Sequence, residues 1–202
     1  MPTYRPITPA DLIEHCADVA AGEPGRRIIV VDGADAADPD RFAQAITETL
    51  TSRGRAAAVV AMNDYLRPAS LRFEYGHTDT ESYRTIWFDH DAVRREVIDA
   101  LHNRGEWLPR LWNAVRDRSF RDTARSATAD QVVVLSGPLL LGSGLDADVT
   151  IALRLSEGAL RRATPAAELF TIPALLDHAR NGPSADVEIR YDHPDRPAIA
   201  ER

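Results

Sequence analysis

Apolar residues in this chain fall into short unbroken runs, separated by segments of helical spacing. Arg27–Asp32 (RIIVVD), Ala56–Met62 (AAAVVAM), Gln131–Ser136 (QVVVLS) and Val149–Leu155 (VTIALRL) lack polar alternation. That is the pattern of strands buried on both faces. Ala185–Tyr191 (ADVEIRY) predicts a last strand. Arg41–Arg53 carries Phe42, Ala45, Ile46 and Leu50 at helical spacing. Thr8-Pro9 ahead of Ala10, Asp11 and Leu12 reads as an N-cap and first helical residue, for a helix reaching about Ala21. Helices are also expected over Asp89–His102, Ser156–Arg162 and Pro173–Ala179. Asn63–Phe88 is irregular, and Glu106–Trp112 (EWLPRLW) is an aromatic segment broken by Pro109. Strands alternating with helices specify an α/β fold in three layers, with a mostly parallel sheet of about five strands. The strand at Arg27–Asp32 is expected at its centre. Ligands of such sheets bind beyond the C-terminal strand ends, which puts Asp32-Gly33 at the mouth of any site.

Composition narrows the chemistry. A length of 202 residues fits one domain. No run approaches the roughly 18 apolar residues of a membrane span. The opening MPTYRPITPADLIEH has no basic start before an apolar stretch, so no signal peptide is expected. Cys16 is the single cysteine and forms no internal bridge, which makes the cytoplasm the expected compartment. A net charge of −7 argues against nucleic acid as a partner. All 24 basic residues are arginine. Any mechanism that needs a lysine amine is therefore excluded, while a GC-rich codon bias accounts for the composition. Scattered His residues and one Cys give no zinc set. Asp32, Asp35, Asp38 and Asp40 offer oxygen donors, but their spacing matches no calcium loop, so no metal site is predicted. Gly142-Ser143-Gly144 reads as a turn.

Six segments follow one another in a known order: RIIVVDG, AMNDYLRP, ESYRTIWFDHDAVRREVIDAL, WLPRLWNAVRDRS, VVVLSGPLLL and ADVEIRYDHPDRP. Their order and spacing resemble the uridine kinase and phosphoribulokinase-like proteins of the compact actinobacterial type, from about Arg26 onward. FDHDAV is the most specific piece. The resemblance implies a single P-loop NTPase-like domain over residues 1–202, with an N-terminal helical extension over 1–25 and a nucleoside-side insertion over 63–125. In that family the first strand runs into GxxxxGK[ST], which holds ATP and magnesium. This chain keeps the spacing from Gly33 through Asp35, but Asp38 replaces the second glycine, Pro39 the lysine and Asp40 the hydroxyl residue. Proline supplies neither charge nor N–H. Asp38 reads as an N-cap, Pro39 as the first helical residue and Asp40 as a dipole-favoured acid, so the anion site is filled from within.

Further positions depart in the same direction. The family's catalytic carboxylate falls on Asn63, whose amide cannot accept a proton, with Asp64 beside it. The acid closing the third strand is Ser136. Arg161-Arg162 match the lid arginines, but Pro165 interrupts the helix behind them. Asp89 matches the ribose-binding acid, and Trp112, Asp117 and Arg118 fall where the family contacts the base. On residue type alone Asp89 is equally a helix cap, the tryptophans are core, and His90 belongs to a helix start. The resemblance thus implies a uridine kinase-like protein without kinase activity and without a cofactor. Its ligand would be a nucleoside, a nucleotide or a protein partner, a second copy included. Asp64, Asp89, Trp112, Asp117, Arg118, Arg161 and Arg162 are the expected contacts, and Asn63 or Asp64 marks the former catalytic position. The alternative is an active nucleoside kinase with a non-standard phosphate loop, in which Arg41, Arg67, Arg161 or Arg162 replaces the lysine.

Overall fold

A computed structural model describes residues 3–201. In chain order it holds β1 (Tyr4–Pro6), α1 (Pro9–Ala21), β2 (Arg27–Gly33), α2 (Pro39–Ser52), β3 (Ala57–Ala61), and three short helices, α3 (Ala69–Arg72), α4 (Thr80–Thr85) and α5 (His90–Val93). Two-residue strands β4 (Glu106–Trp107), β5 (Trp112–Asn113), β6 (Arg118–Ser119) and β7 (Arg125–Ser126) follow. The chain then forms β8 (Val132–Gly137), β9 (Val149–Arg154), α6 (Glu157–Ala163), α7 (Ile172–Asn181), β10 (Val187–Arg190) and β11 (Ala198–Ala200).

Side-chain alternation along β2 sets the layers. Ile28 and Val30 enter one buried apolar cluster, while Ile29 and Val31 enter the other. The first cluster also takes Val133 and Leu135 of β8 and residues of α4, α5 and α7. The second takes Leu12 and Cys16 of α1, and Phe42, Ile46 and Leu50 of α2. Each such side chain contributes about 1.5–3 kcal/mol on burial. Both faces of β2 are sealed, which is why its sequence shows no polar alternation.

The sheet runs β1-β11-β10-β9-β2-β8-β3. Its strands from β10 to β3 are mutually parallel, and β2 lies between β8 and β9. The expected five strands are these. The sheet has seven in all, because β11 and β1 add antiparallel at one edge. They span three residues each, too few for alternation to show in the sequence.

Capping residues fix the helix starts. Thr8 accepts from Asp11 N–H at 3.1 Å, ahead of Pro9 at the first position of α1. Asp89 accepts from Ala92 N–H at 3.1 Å and starts α5. That helix continues through π-helical turns at Arg94–Ile98 and Ala100–Arg104 before Gly105 ends it. Among the described residues no helix is long and apolar enough to cross a membrane.

Because Ile28 and Ile29 face opposite layers, Ile28→Ala and Ile29→Ala are each expected to lower stability by about 2–5 kcal/mol. Their effects should be nearly additive in urea denaturation, since the two side chains share no layer. A loss under about 1 kcal/mol for either would show that its face is not sealed.

Candidate functional site

The C-terminal end of β2 is organised around a buried carboxylate. Asp32 is only 2% exposed. Its Oδ1 accepts from Leu140 N–H at 2.9 Å, and its Oδ2 from His178 Nε2 at 2.9 Å. Arg154 Nη1 lies 3.6 Å from the same Oδ2. The loop after β8, helix α7 and the end of β9 are thereby tied to one point. Beside it, Gly137 closes β8 with φ +146, and a Cβ there would lie 2.7 Å from Met62 Cβ. Only glycine permits β8 to end this close to the 3-10 turn Met62–Tyr65 that carries Asn63.

From Gly33 the chain makes a 3-10 turn over Asp35–Ala37 and enters α2 at Pro39. Two loop N–H groups are spent internally: Ala37 donates to Ala34 O at 2.8 Å and Asp38 to Asp35 O at 2.9 Å. Asp38 sits in the left-handed region at φ +50, and its carboxylate accepts from Arg41 N–H at 3.3 Å. Pro39 has no N–H to offer. Asp40, on the first turn of α2, accepts a hydrogen bond from Ser136 Oγ at the end of β8. Burial, followed by the charge of Asp38, raises the Asp40 carboxyl against the lowering effect of that hydroxyl.

A cavity of about 800 Å³ opens next to this loop. Its walls come from Ala34–Ala36, from Asn63, from Phe73 and His77, from Tyr83 of α4, from Trp87 and Phe88, from Glu168 and Phe170, and from Leu175 of α7. The rings support one another edge-on, with Tyr83 and Trp87 at 5.3 Å, Phe73 and Trp87 at 5.5 Å, and Tyr83 and Phe170 at 6.1 Å. Thr80 Oγ1 donates to Phe170 O at 2.8 Å and fixes the 3-10 turn Ala166–Thr171 against α4. Asn63 Nδ2 donates to Asp35 Oδ1 at 3.2 Å, joining the loop to the cavity wall. The Asp35 side chain is open toward the cavity yet crowded by protein on its other sides. Desolvation, reinforced by the charges of Asp40 and Glu168 and opposed by the Asn63 hydrogen bond, pushes its carboxyl up to about 6.

The residues expected to hold a ligand are distributed differently. Asn63 and Asp35 line the cavity, whereas Asp64, Asp89, Trp112, Asp117, Arg118, Arg161 and Arg162 do not. Asp64 is half-buried; burial raises its carboxyl, while Arg110 counteracts. Trp112 and Asp117 do meet, with Trp112 Nε1 donating to Asp117 Oδ1 at 3.1 Å. That carboxylate also accepts from Ala69 N–H at 2.8 Å at the start of α3, and this bond chiefly lowers its pKa. Arg118 is exposed on the β5–β6 ribbon. Arg161 pairs with Glu157 on α6, and Arg162 is exposed beside it. His90 starts α5, and burial holds its imidazole below the usual value. Sequence reasoning passed over Phe73, Tyr83, Trp87 and Phe170. The first three fall in an aromatic-rich irregular stretch before Asp89, which does not by itself separate a cavity wall from a core. Among the described residues no three His, Cys, Asp or Glu side chains are placed to share a metal ion.

No protein-family model and no curated protein matches this sequence. The fold does match solved structures. A possible uridine kinase from Bacillus stearothermophilus superposes with a TM-score of 0.68 at 17% identity, over 89% of this chain and 97% of that one. A candidate fructose transport system kinase from Silicibacter sp. TM1040 gives 0.69 at 17% identity, over 90% of this chain and 98% of that one. The likeness is one of fold: this chain shares the α/β architecture of these two proteins, with a mostly parallel sheet flanked by helices.

Two substitutions probe the loop. Asp38→Ala removes the cap of α2 and is expected to cost about 0.5–2 kcal/mol in chemical denaturation, whereas Asp38→Gly costs a few tenths. An equal loss in both would mean that the left-handed backbone gives glycine no advantage at this residue. Asp35 generates a pH effect. Its folded-state value of about 6 lies above the ordinary 3.8, so the folded form binds the proton more tightly. The stability this supplies is full below about pH 4 and lost as pH rises through about 6. Asp35→Asn keeps an acceptor for Asn63 and carries no charge. It should match the parent protein near pH 4 and exceed it near pH 7.5. Parallel stability curves across that range would contradict the assigned burial.

Proposed function

We propose that this protein is a ligand-binding member of the P-loop kinase fold that does not transfer phosphoryl groups from ATP. The reading rests on the loop from Gly33 to Asp40. A phosphate loop works by aiming free backbone N–H groups at one anion, with a lysine bridging the outer phosphates. Here Ala37 and Asp38 turn their N–H groups inward, Asp38 takes that of Arg41, and Pro39 has none. The chain contains no lysine. Asp35, Asp38 and Asp40 surround the place an anion would take, and burial already disfavours the charges of Asp35 and Asp40. At about 6 Å and an effective dielectric of about 20, each such carboxylate opposes a phosphate charge by about 3 kcal/mol. The residues present do not fit a magnesium–ATP complex.

The exchange of acid and hydroxyl between Asp40 and Ser136 keeps the bond that pins α2 to β8. It also moves the carboxylate from the strand to the helix start. What is retained is the cavity, whose size and aromatic wall suit a small aromatic molecule of nucleoside dimensions. Asn63 stands there with an amide where a base would be needed for transfer to a hydroxyl.

Calorimetric titration with Mg-ATP at millimolar concentration is expected to give no binding heat. Incubation with γ-labelled ATP and uridine should leave the label on ATP. Replacing Asp38, Pro39 and Asp40 together by Gly, Lys and Ser should introduce nucleotide binding without turnover, because Asn63 and Ser136 remain. Saturable, magnesium-dependent ATP binding by the unmodified protein would overturn the proposal.

A further inference from the structure

Resting on the reading of this cavity as a ligand site, we infer that it selects an organic cation with a flat aromatic body, and rejects phosphorylated ligands. Three features of the wall converge on that class. First, it offers aromatic faces and edges from several elements, held in place by contacts among Phe73, Tyr83, Trp87 and Phe170. Such walls stack planar ligands, and their ring faces attract positive charge. The guanidinium of Arg72 already uses this property, lying 4.7 Å from the Phe73 centroid and 5.4 Å from that of Trp87. It is not a lining residue, and its Nε is committed to Arg67 O at 2.7 Å.

Second, the charged side chains that line the cavity are carboxylates. Asp35 enters from the loop after β2 and Glu168 from the turn before α7, and no arginine lines the wall. The two are close enough for Glu168 to raise the Asp35 carboxyl, and Asp40 behind them adds charge of the same sign. A cation between Asp35 and Glu168 relieves that repulsion, whereas a phosphate group adds to it. Third, apart from His77, whose ring lies 4.3 Å from that of Phe73, the remaining polar groups carry no charge. Asn63, Thr78, Thr164 and Thr171 can orient a heteroatom edge without compensating an anion. A neutral nucleoside would fill the space and leave both carboxylates unpaired.

The test uses the full chain and a matched pair of probes, 1-methylnicotinamide, a permanent pyridinium cation, and nicotinamide, its neutral counterpart, with UMP as the anionic arm. Calorimetry at low salt is expected to show the cation binding at least about tenfold more tightly than the neutral compound, with no heat from UMP. Asp35→Asn and Glu168→Gln should each weaken the cation by threefold or more. The double variant should bring the two pyridines to equal affinity. Circular dichroism confirms that each variant is folded. Equal binding of the pair by the unmodified protein, tighter binding of UMP, no binding of the cation, or indifference to both substitutions would each overturn the inference. Mg-ATP is a separate arm. Its binding would overturn the proposal of a protein without ATP chemistry, while leaving the charge preference to be decided by the pyridines.

Discussion

The carboxylate of Asp32 is the constraint on which the functional side of the sheet depends. At 2% exposure it must be compensated in place, because a buried charge without partners costs several kcal/mol. The compensation comes from three separate elements: the loop after β8 through Leu140, helix α7 through His178, and the end of β9 through Arg154. Each is thereby located relative to the last residues of β2. Helix α7 carries Leu175 into the cavity wall, and the turn before it carries Glu168 and Phe170. One unpaired donor at Asp32 would therefore be felt on the far side of the cavity. The apolar packing of β2 sets the layers, but this polar contact sets the geometry above them.

The loop beyond Asp32 solves a different problem. A helix start leaves donors unsatisfied, and a nucleotide-binding protein keeps them for an anion. Here the chain satisfies them itself. The left-handed backbone of Asp38 costs about 1–2 kcal/mol for a residue with a Cβ, somewhat less for aspartate, and its cap on α2 returns about 0.5–2 kcal/mol. The loop is thus stable without a ligand. What it does not relieve is the crowding of charge. Asp35 and Asp40 are both held above their ordinary carboxylate values, by burial first and by neighbouring acids second. Groups kept in that condition are characteristic of binding sites rather than of scaffolds.

The sequence made the scaffold more legible than the site. Strands β2, β8 and β9 are visible as unbroken apolar runs because both faces are covered, β3 is apolar in sequence although it is an edge strand with only Val60 buried, and helix starts at Thr8, Asp89 and Ser156 are visible because capping is local chemistry. β1 and β11 escape because each is only three residues long and β1 pairs with β11 across almost the whole chain, although β11 itself folds back locally on β10. In the site, Asp35 and Asn63 could be found by spacing from β2 and β3. Phe73, Tyr83, Trp87 and Phe170 could not be told from core, since an aromatic lining a cavity and one filling a core share composition and differ only in placement. Trp112 and Asp117 show the converse. These two residues, expected at a base contact, bond each other outside the cavity wall, and Asp117 also accepts from Ala69 N–H at the start of α3.

The loop after β2 and the rest of the cavity wall are separate pieces of chain that meet at Ala34–Ala36 and Asn63. The first is a single loop between β2 and α2, governed by residues from Gly33 to Asp40. The second is assembled from Asn63, the aromatic stretch before Asp89, and the segment after α6. Their direct polar link is the hydrogen bond from Asn63 to Asp35. Substitutions in the loop alter the charge at one wall without disturbing the ring contacts that shape the others. Asp35 is accordingly where loop and cavity wall join. In a loop that cradles an anion, the surrounding N–H groups make the local potential positive. With those groups turned inward and carboxylates added, the potential at the same wall is negative.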